Sequence, residues 1–403
     1  MPNHIVLAYS GGLDTSVAIH WLKQQHDAQV TAVLIDVGQP IPGIEDAKKR
    51  ALHNGAAACI VIDAKDEFAQ EYVAAAILAD ALYEGAYPLA TALGRPLIAK
   101  KLVAVALEHG ADAIAHGCTG KGNDQVRIEA GVHALAPHLE VLAPQRTHPM
   151  TREAVLRYAD QHGLQLPPQK KSPYSVDENL WGRSAEGHDV EDPAHAVPEA
   201  AFSWTTDPTQ APAAGQKITI AFEHGLPVSV DGVPMTLTAL IQHLNTVAGQ
   251  HGVGRIDHVE DRLVGIKTRE VYEAPAATVI LAAKKAVESL TLTRDEVLLK
   301  PSVEQAFAVN VYDGKWFHPV QAPIAAFLST MNVHVTGEAT LWLRQGTVTV
   351  QGRSSPLALF DEKLATYNDG DAFHHQAATG FIELWSLPQK LAAQVRKTVQ
   401  VAP

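Results

Sequence analysis

The sequence contains very little cysteine. Among its 403 residues only Cys59 and Cys118 carry a thiol. Two cysteines are too few for a disulfide framework, and they share no metal-ligand spacing, so we expect neither a disulfide-stabilised fold nor a metal held by the protein alone. Because this cysteine usage fits a reducing compartment, we expect a cytoplasmic protein.

Long apolar runs and a basic surface are also missing. No stretch approaches the roughly 18 apolar residues of a membrane span, and the first residues lack the features of a secretory signal. The formal net charge is −12, which disfavours a general nucleic-acid binder because neutralising a phosphate backbone needs many cations. We therefore expect no membrane and no nucleic-acid partner, although a nucleotide site needs only a few local donors.

The composition allows a large core, since 46% of the residues are hydrophobic, and the length exceeds one ordinary core. The first part of the chain alternates strand and helix patterns. We predict strands over 5–9, 30–37, 58–63, 113–116 and 141–143, and helices from Thr15 and over 45–54, 67–83, 97–109 and 151–162. This alternation predicts an α/β fold with a parallel, Rossmann-like sheet. Such sheets bind ligands where the strand order reverses, at the C-terminal ends of the strands, and we expect the same here.

The rest of the chain has antiparallel character. Prolines and lysines over 166–171 indicate a boundary, and 186–212 is predicted to be an extended surface loop. We predict strands over 217–222, 228–230, 262–267, 338–343 and 347–351, and helices over 235–248 and 275–290. The dipeptide Gln345-Gly346 is a hairpin signal. The expected parts are 1–165, 166–365 and a C-terminal segment 366–403.

A C-terminal helix is predicted from Ser386, as its N-cap, to about Gln400. Leu391, Val395 and Val399 would form a narrow apolar stripe along it. Packing on its own domain and contact with another subunit both explain such a stripe.

The most informative segment is Ser10-Gly11-Gly12-Leu13-Asp14-Thr15-Ser16, between the first predicted strand and helix. Paired glycines expose backbone N–H groups, hydroxyls add donors, and a helix N-terminus favours negative charge. The segment lacks the lysine of a Walker loop and the glycine spacing of a dinucleotide loop. It predicts a phosphate site of another type; the alternative is a tight turn with a capping residue.

A second polar loop runs from Gly117 to Arg127, after the predicted strand that ends at His116. Its three glycines, and side chains of both signs, suit a zwitterion such as an amino acid better than a bare phosphate. The alternative is an ordinary solvated loop. Because both loops follow strands of one parallel sheet, we expect them to lie close together.

Five motifs in order carry a resemblance to a known family. The strand and its Ser10 to Ser16 loop resemble the pyrophosphate loop of the N-type ATP pyrophosphatases, which cleave ATP between the α and β phosphates. Within that group the chain resembles the argininosuccinate synthase family from about Ile5 to Phe381. The further motifs are Ala81-Leu82-Tyr83-Glu84 with Tyr87, His116-Gly117 through Arg127, Ser175-Val176-Asp177-Glu178-Asn179-Leu180, and His251-Gly252-Val253-Gly254-Arg255-Ile256-Asp257.

The resemblance implies an adenine nucleotide alpha hydrolase type of ATP-binding domain, an α+β synthetase domain and a C-terminal helix. It implies an ATP-dependent carbon–nitrogen ligase of arginine biosynthesis, which joins L-citrulline to L-aspartate through a citrullyl-adenylate. The products are argininosuccinate, AMP and pyrophosphate. It also implies Mg²⁺ with the ATP, and a homotetramer.

The resemblance also assigns site residues. ATP is expected at Ala8, Tyr9, Ser10, Gly11, Gly12, Leu13, Asp14, Thr15, Ser16, Ile35 and Gly117. Citrulline is expected at Tyr87, Thr91, Asn123, Arg127, Ser175, Ser184, Glu260 and Tyr272, and aspartate at Thr119, Asn123 and Asp124. Asp14 and Asp124 are the most critical of these, and no residue is assigned as general acid or base.

Two details stay open. Asp14 either coordinates Mg²⁺ or pins its loop, and we favour pinning. Ala92 stands where the family often has serine, so Thr91 would supply that hydroxyl. The competing functions are an ATP pyrophosphatase acting on a nucleobase or tRNA, and a nucleotide-binding regulatory module. The first would favour a basic patch or catalytic cysteines, and the second would not need the Thr119 to Arg127 constellation.

Overall fold

The computed structural model describes residues 1–39, 43–168 and 172–397. The N-terminal part contains one sheet. Its strands are β1 (His4–Ala8), β2 (Gln29–Asp36), β3 (Ala58–Asp63), β4 (Ala113–Ala115) and β5 (Glu140–Leu142). They are parallel and lie in the order β3-β2-β1-β4-β5. This confirms the predicted Rossmann-like sheet, with the strand order reversing between β1 and β4.

Helices cover both faces of this sheet. They are α1 (Leu13–His26), α2 (Ile44–His53), α3 (Lys65–Glu67), α4 (Ala74–Leu78), α5 (Ala90–Glu108), α6 (Asp124–Leu135), α7 (Pro144–Thr147) and α8 (Arg152–Gln161). Helices α3 and α4 are joined by a π-helical segment, Phe68–Val73. Ile5 and Leu7 of β1 pack in one apolar cluster and Val6 in another, as the period of two in a strand requires.

Two helix predictions were wrong in extent. The helix predicted over 67–83 ends at Leu78, because Asp80 adopts a left-handed backbone (φ 43°) that no α-helix continues. The helix predicted over 97–109 already begins at Ala90. Its Pro96 lies inside the helix, where a proline usually marks a boundary, so the first turns are hidden from sequence reasoning.

The following part contains two sheets of largely antiparallel strands. Their strands are β6 (Ser175–Asn179), β7 (Gly182–Glu186), β8 (Gln216–Glu223), β9 (Leu226–Val230), β10 (Val233–Pro234), β11 (Arg255–Asp261), β12 (Lys267–Glu273), β13 (Gly337–Arg344) and β14 (Thr347–Ser354). The first sheet has the order β11-β12-β7-β6 and the second the order β10-β9-β8-β13-β14. The predicted hairpin is confirmed, with positive φ at Gln345 (46°) and Gly346 (81°). The strand predicted over 262–267 was wrong, since most of that range turns the chain between β11 and β12.

Helices α9 (Leu237–Gln250), α10 (Pro275–Thr291), α11 (Arg294–Tyr312) and α12 (Gln321–Asn332) complete this part. The helices predicted over 235–248 and 275–290 are confirmed, whereas α11 and α12 were not predicted. The segment 186–212 is mostly irregular, as expected, but it is anchored inside the protein. The buried Glu273 carboxylate accepts hydrogen bonds from the backbone N–H groups of Ser203, Trp204 and Thr205.

Residues Met1–Leu357 form one compact unit and Ala358–Pro403 a second. The second contains α13 (Glu362–Ala365), α14 (His375–Trp385) and α15 (Leu387–Lys397). The predicted C-terminal helix is present as α15, but the Ser386 hydroxyl donates to the carbonyl of Glu383 (3.3 Å) in α14, which was not predicted. Val399 and the predicted end at Gln400 lie outside the described residues. No helix in the described ranges is both long and apolar enough to cross a membrane.

Candidate active site

The Ser10 to Ser16 loop lies at the C-terminal end of β1 and leads into α1. The Ser10 hydroxyl accepts a hydrogen bond from the N–H of Gly12 (3.3 Å) and lies 3.1 Å from the Thr15 hydroxyl. Gly11 has φ 73°, a conformation that glycine adopts without strain. Hydroxyls and the start of a helix therefore meet in one turn, and this arrangement can hold an anion.

Other residues of the predicted ATP set brace this loop from inside. The Tyr9 side chain is 3% exposed, and its hydroxyl donates to the carbonyl of Ala47 (3.0 Å) in α2 and lies 3.4 Å from the Ser16 hydroxyl. Arg50 of α2 donates to the carbonyl of Gly11 (3.2 Å). The side chains of Tyr9 and Ser16 thus point into the protein, and Leu13 packs beside α8.

The Asp14 carboxylate makes no hydrogen bond to the described part of its loop, so the structure gives no support to pinning, which stays a prediction. Its carboxylate is exposed on the first turn of α1 and accepts no hydrogen bond from the residues that the structure describes. Partial desolvation in the cleft raises its pKa, and the positive charge of Arg152 opposes this. Asp14 is therefore available to a ligand.

Gly117 and Ile35 lie at the same edge of the sheet. A Cβ atom on Gly117 would lie 3.0 Å from the Thr15 methyl group, so the loops after β1 and β4 touch where the strand order reverses. Ile35 is 6% exposed near the end of β2, and its carbonyl accepts a hydrogen bond from the Gln39 side chain (2.7 Å). Ala8 ends β1. The predicted ATP residues are thus gathered at one edge.

The loop from Gly117 to Asn123 is braced by residues that sequence reasoning did not assign. The Gln125 amide donates to the carbonyls of Gly120 (2.7 Å) and Gly122 (3.2 Å). The His116 Nδ1 accepts the N–H of Cys118 (3.2 Å), so its Nε2 carries the proton and donates to Glu129 (3.1 Å). Arg146 contacts both Gln125 (3.0 Å) and Glu129.

These contacts perturb the pKa of Glu129. The hydrogen bond from His116 and the one from Arg146 outweigh burial and lower its pKa to about 2. The bracing carboxylate is therefore charged at neutral pH.

Asp124, on the first turn of α6, is held by two arginines. Arg95 of α5 donates to it at 2.7 Å and Arg127 at 3.1 Å. Burial opposes the charge, but these arginines outweigh it and hold the pKa of Asp124 below its usual range. Arg95 also pairs with Asp177 of β6, and so links the loop to the antiparallel sheet. Neither Arg95 nor Asp177 was predicted as a site residue.

Strand register places the predicted citrulline residues on one face of this sheet. Ser184 of β7 lies opposite both Tyr272 of β12 and Asp177 of β6. Ser175 lies opposite Glu186, two residues along β7 from Ser184, and so shares that face. The fourth predicted residue of the sheet is joined to this face directly, because Tyr272 donates to the Glu260 carboxylate (2.6 Å).

Tyr87 approaches this face from the other part of the chain. Its ring stacks on Tyr272 with centroids 4.1 Å apart, and its hydroxyl accepts the N–H of Thr91 (2.9 Å). Ala92 is fully buried in the core, and as an alanine it has no hydroxyl to offer a ligand. Tyr87, Thr91 and Tyr272 are therefore neighbours, as a shared pocket requires.

Tyr312, the last residue of α11, is buried beside Asn123 and Glu260, and sequence reasoning did not assign it to the site. Its hydroxyl donates to Glu260 (2.7 Å) and accepts a hydrogen bond from the Asn123 amide (2.8 Å). The side-chain oxygen Oδ1 of Asn123 accepts the N–H of Leu263 (3.0 Å), in the turn after β11. Thr119, in the same loop as Asn123, is exposed.

Arg127 retains one unused donor. Its Nε donates to the carbonyl of Tyr312 (2.9 Å) and Nη1 to Asp124. Its Nη2 is buried and has no hydrogen-bond partner among the described residues. A buried guanidinium donor left open is suited to a carboxylate of a ligand.

A further ionic group lies beside this pocket and was not predicted. Arg262 pairs with Glu186 and with Glu270 (2.6 Å), and lies 3.4 Å from the carbonyl of Lys121. Burial and the charges of Glu186 and Glu260 raise the pKa of Glu270 to about 8, against the effect of Arg262. The alternating pattern of Arg269-Glu270-Val271-Tyr272 could have indicated that Glu270 shares a face with Tyr272.

A groove of about 830 Å³ lies along α10 and α11, and it is lined on one side by Tyr83, whose ring stacks on Tyr312. Four of the charged groups that line it contact one another, since Lys300 pairs with Asp80, Glu288 and Glu304. No group of three or more potential metal ligands occurs within the described ranges. The polar cleft between the two loops and the sheet is therefore the candidate active site.

Comparisons with known proteins match both parts of the chain that contribute residues to this cleft. Residues 4–165 match the family "Arginosuccinate synthase N-terminal HUP domain" and residues 174–392 "Arginosuccinate synthase C-terminal domain". The chain is 52% identical to the argininosuccinate synthase of Rubrobacter xylanophilus over 99% of its length and 97% of that protein. It is 51% identical to the argininosuccinate synthase of Bacillus subtilis over 98% of each chain.

An N-terminal HUP domain joined to an argininosuccinate synthase C-terminal domain defines an ATP-dependent ligase. The chain belongs to the argininosuccinate synthase family, as the identity and coverage of these relatives establish. It is an enzyme of arginine biosynthesis.

Proposed function

We propose that ATP binds at the Ser10 to Ser16 loop and that citrulline and aspartate bind between the Gly117 to Arg127 loop and the antiparallel sheet. The observation that carries this proposal is the contact between the two loops, measured by the 3.0 Å that would separate a Gly117 Cβ from Thr15. An α-phosphate held at one loop then lies next to an acceptor held at the other.

The reaction needs this proximity. A ureido carbon is a poor electrophile, because its two nitrogens donate electrons into the carbonyl. Transfer of AMP to the ureido oxygen, with release of pyrophosphate, turns that oxygen into a leaving group. The amine of aspartate then attacks the carbon, AMP leaves, and argininosuccinate forms. The protein's tasks are to orient three substrates and to neutralise phosphate charge.

In the ATP half of the site, the N–H groups of Gly11 and Gly12 and the hydroxyls of Ser10 and Thr15 would hold the phosphates. The backbone near Ile35 would support the adenine. The remaining members of the set act by position: Ala8, Tyr9, Leu13 and Ser16 shape the loop, and Gly117 allows close approach.

Mg²⁺ would be shared with the phosphates, since it commonly takes one or two carboxylates together with phosphate oxygens. Asp14 fits this role because it is exposed and accepts no hydrogen bond within the described chain. The ion would neutralise charge on the leaving pyrophosphate.

In the citrulline pocket, the open Nη2 of Arg127 would bind the carboxylate and Glu260 would face the ammonium group. The remaining contacts would come from Tyr87, Thr91, Asn123, Ser175, Ser184 and Tyr272. Aspartate would be held by Thr119, Asn123 and Asp124. Because Asp124 already binds Arg95 and Arg127, its charge also orients the citrulline side of the site.

Product analysis tests this function. Turnover should require both citrulline and aspartate and should yield equal amounts of AMP and pyrophosphate, without ADP. Citrulline alone should support exchange of labelled pyrophosphate into ATP. Pyrophosphate release that does not need citrulline would instead favour an ATP pyrophosphatase with another acceptor.

We also propose a cytoplasmic homotetramer with the divisions 1–165, 166–365 and 366–403. Free Cys59 and Cys118 agree with a reducing compartment. Subunit association would cover apolar side chains of the second compact unit, where Phe360, Phe381 and Trp385 are each more than half exposed. Light scattering would measure the solution mass.

A further inference from the structure

Tyr312 contacts three of the residues proposed to bind citrulline, although it lies far from them in sequence. It is 1% exposed and ends α11. Its side chain and backbone meet Asn123, Arg127 and Glu260. The sequence around Tyr312 did not indicate that it belongs to the citrulline pocket.

The hydroxyl joins two of these residues in a fixed direction. An ionised carboxylate can only accept hydrogen bonds, so the Tyr312 hydroxyl donates its proton to Glu260 (2.7 Å). Its oxygen can then only accept, and the Asn123 amide donates to it (2.8 Å). Burial and the neighbouring Glu260 charge raise the pKa of Tyr312, so the proton stays on the phenol.

The ring and the backbone of Tyr312 orient the third residue. The Arg127 guanidinium lies over the ring, 4.7 Å from its centroid, and the Tyr312 carbonyl accepts a hydrogen bond from Nε (2.9 Å). The ring also stacks on Tyr83, with centroids 3.5 Å apart. These contacts fix the plane of Arg127 and the direction of its open Nη2.

We propose that Tyr312 is a positioning residue for citrulline, whose hydroxyl links Glu260 to Asn123 and whose ring sets the plane of Arg127. The inference rests on the proposed citrulline site. Because Asn123 is assigned to both amino acids, the same hydroxyl connects the citrulline pocket to the aspartate loop.

The test is Tyr312→Phe, which removes the hydroxyl and keeps the ring contacts with Tyr83 and Arg127. Removing a hydrogen bond to a buried carboxylate predicts a rise of about 10- to 100-fold in the citrulline KM of pyrophosphate exchange. The KM for ATP should stay unchanged, because no contact of Tyr312 reaches the Ser10 loop. Tyr312→Leu, which also removes the ring, should raise the citrulline KM further.

Two controls separate positioning from a loss of stability. Tyr72→Phe removes the hydroxyl of another tyrosine that is 1% exposed and stacked on Trp316, and should leave all kinetic constants unchanged. In a Glu260→Gln background, Tyr312→Phe should have a much smaller effect than in the wild type, because the two residues act through one hydrogen bond.

Three results would overturn the inference: an unchanged citrulline KM, equal rises in the KM for citrulline and for ATP, or effects that multiply in the double variant. A loss of thermal stability beyond that of the Tyr72 control, with all constants altered together, would likewise assign Tyr312 a purely structural role. The proposed function fails separately, if the wild-type enzyme shows no citrulline-dependent exchange.

Discussion

Replacing Arg127 by lysine is expected to weaken citrulline binding without affecting ATP. The guanidinium divides its donors between the Tyr312 carbonyl (2.9 Å), Asp124 (3.1 Å) and one open Nη2. Arg127→Lys keeps the positive charge, but a single ammonium lacks the planar fork that serves three directions at once. Since the nearer partners are fixed parts of the protein, the hydrogen bond toward the ligand is the one that lysine would fail to make.

The magnitude follows from that single hydrogen bond. A hydrogen bond to a charged group contributes about 1.5–3 kcal/mol, and each 1.4 kcal/mol is about a factor of ten. The citrulline KM of pyrophosphate exchange should therefore rise about 10- to 100-fold. The KM for ATP should stay the same, because the contacts of Arg127 do not include the Ser10 loop.

Arg269→Lys is the matched control. Arg269 is also buried, at 8% exposed, and binds Asp257 (2.6 Å), but it projects from the face of β12 opposite to Tyr272. Its replacement should cost stability and leave the citrulline KM unchanged. The reasoning is refuted if both variants shift the citrulline KM equally, or if Arg127→Lys shifts the KM for ATP as much as that for citrulline.

Two further variants probe the two loops. Gly117→Ala should raise the KM for ATP, because the added Cβ would lie 3.0 Å from the Thr15 methyl group. Gly120→Ala is the control: its Cβ meets nothing closer than 3.8 Å, so this variant should bind ATP normally. Equal effects of the two substitutions on the KM for ATP would show that the contact between Gly117 and Thr15 does not matter for ATP binding. Glu129, whose pKa His116 lowers from 4.5 to about 2, contributes stability above about pH 4.5 that is lost as the pH falls toward 2. The unfolding free energy of Glu129→Gln should lack this component, and an unchanged pH dependence would show that the hydrogen bonds from His116 and Arg146 contribute nothing.

Local patterns were sufficient to predict the strand, turn and helix that carry the proposed phosphate site. The strand β1, its glycine pair and α1 are consecutive in sequence, so the turn that joins them is fixed by neighbouring residues. The observed order of the strands places the Gly117 loop beside Thr15, at the edge where ligands of parallel α/β sheets bind. Two helix ends were misplaced because local patterns misled there. The left-handed backbone of Asp80 has no sequence signal, and Pro96 suggests a helix boundary although it lies inside α5.

The amino-acid half depends on contacts between distant residues. Asn123 and Tyr312 are separated by 189 positions, and Arg95 and Asp177 by 82. Nothing in the sequence near Tyr312 or Arg95 distinguishes it from an ordinary residue of a helix. The motifs indicated the residues that are proposed to bind substrate, but the residues that hold them in place become visible only once the sheet and α11 are positioned.

No residue was assigned as a general acid or base from the sequence, and this stays a prediction. Two carboxylates of the amino-acid pocket are engaged: Asp124 by Arg95 and Arg127, and Glu260 by two tyrosine hydroxyls. Groups held in this way fix geometry and charge rather than exchange protons. The chemistry agrees, because adenylation makes the ureido oxygen a leaving group before the amine attacks. The proposed site would therefore act by holding three substrates in contact and by neutralising phosphate charge.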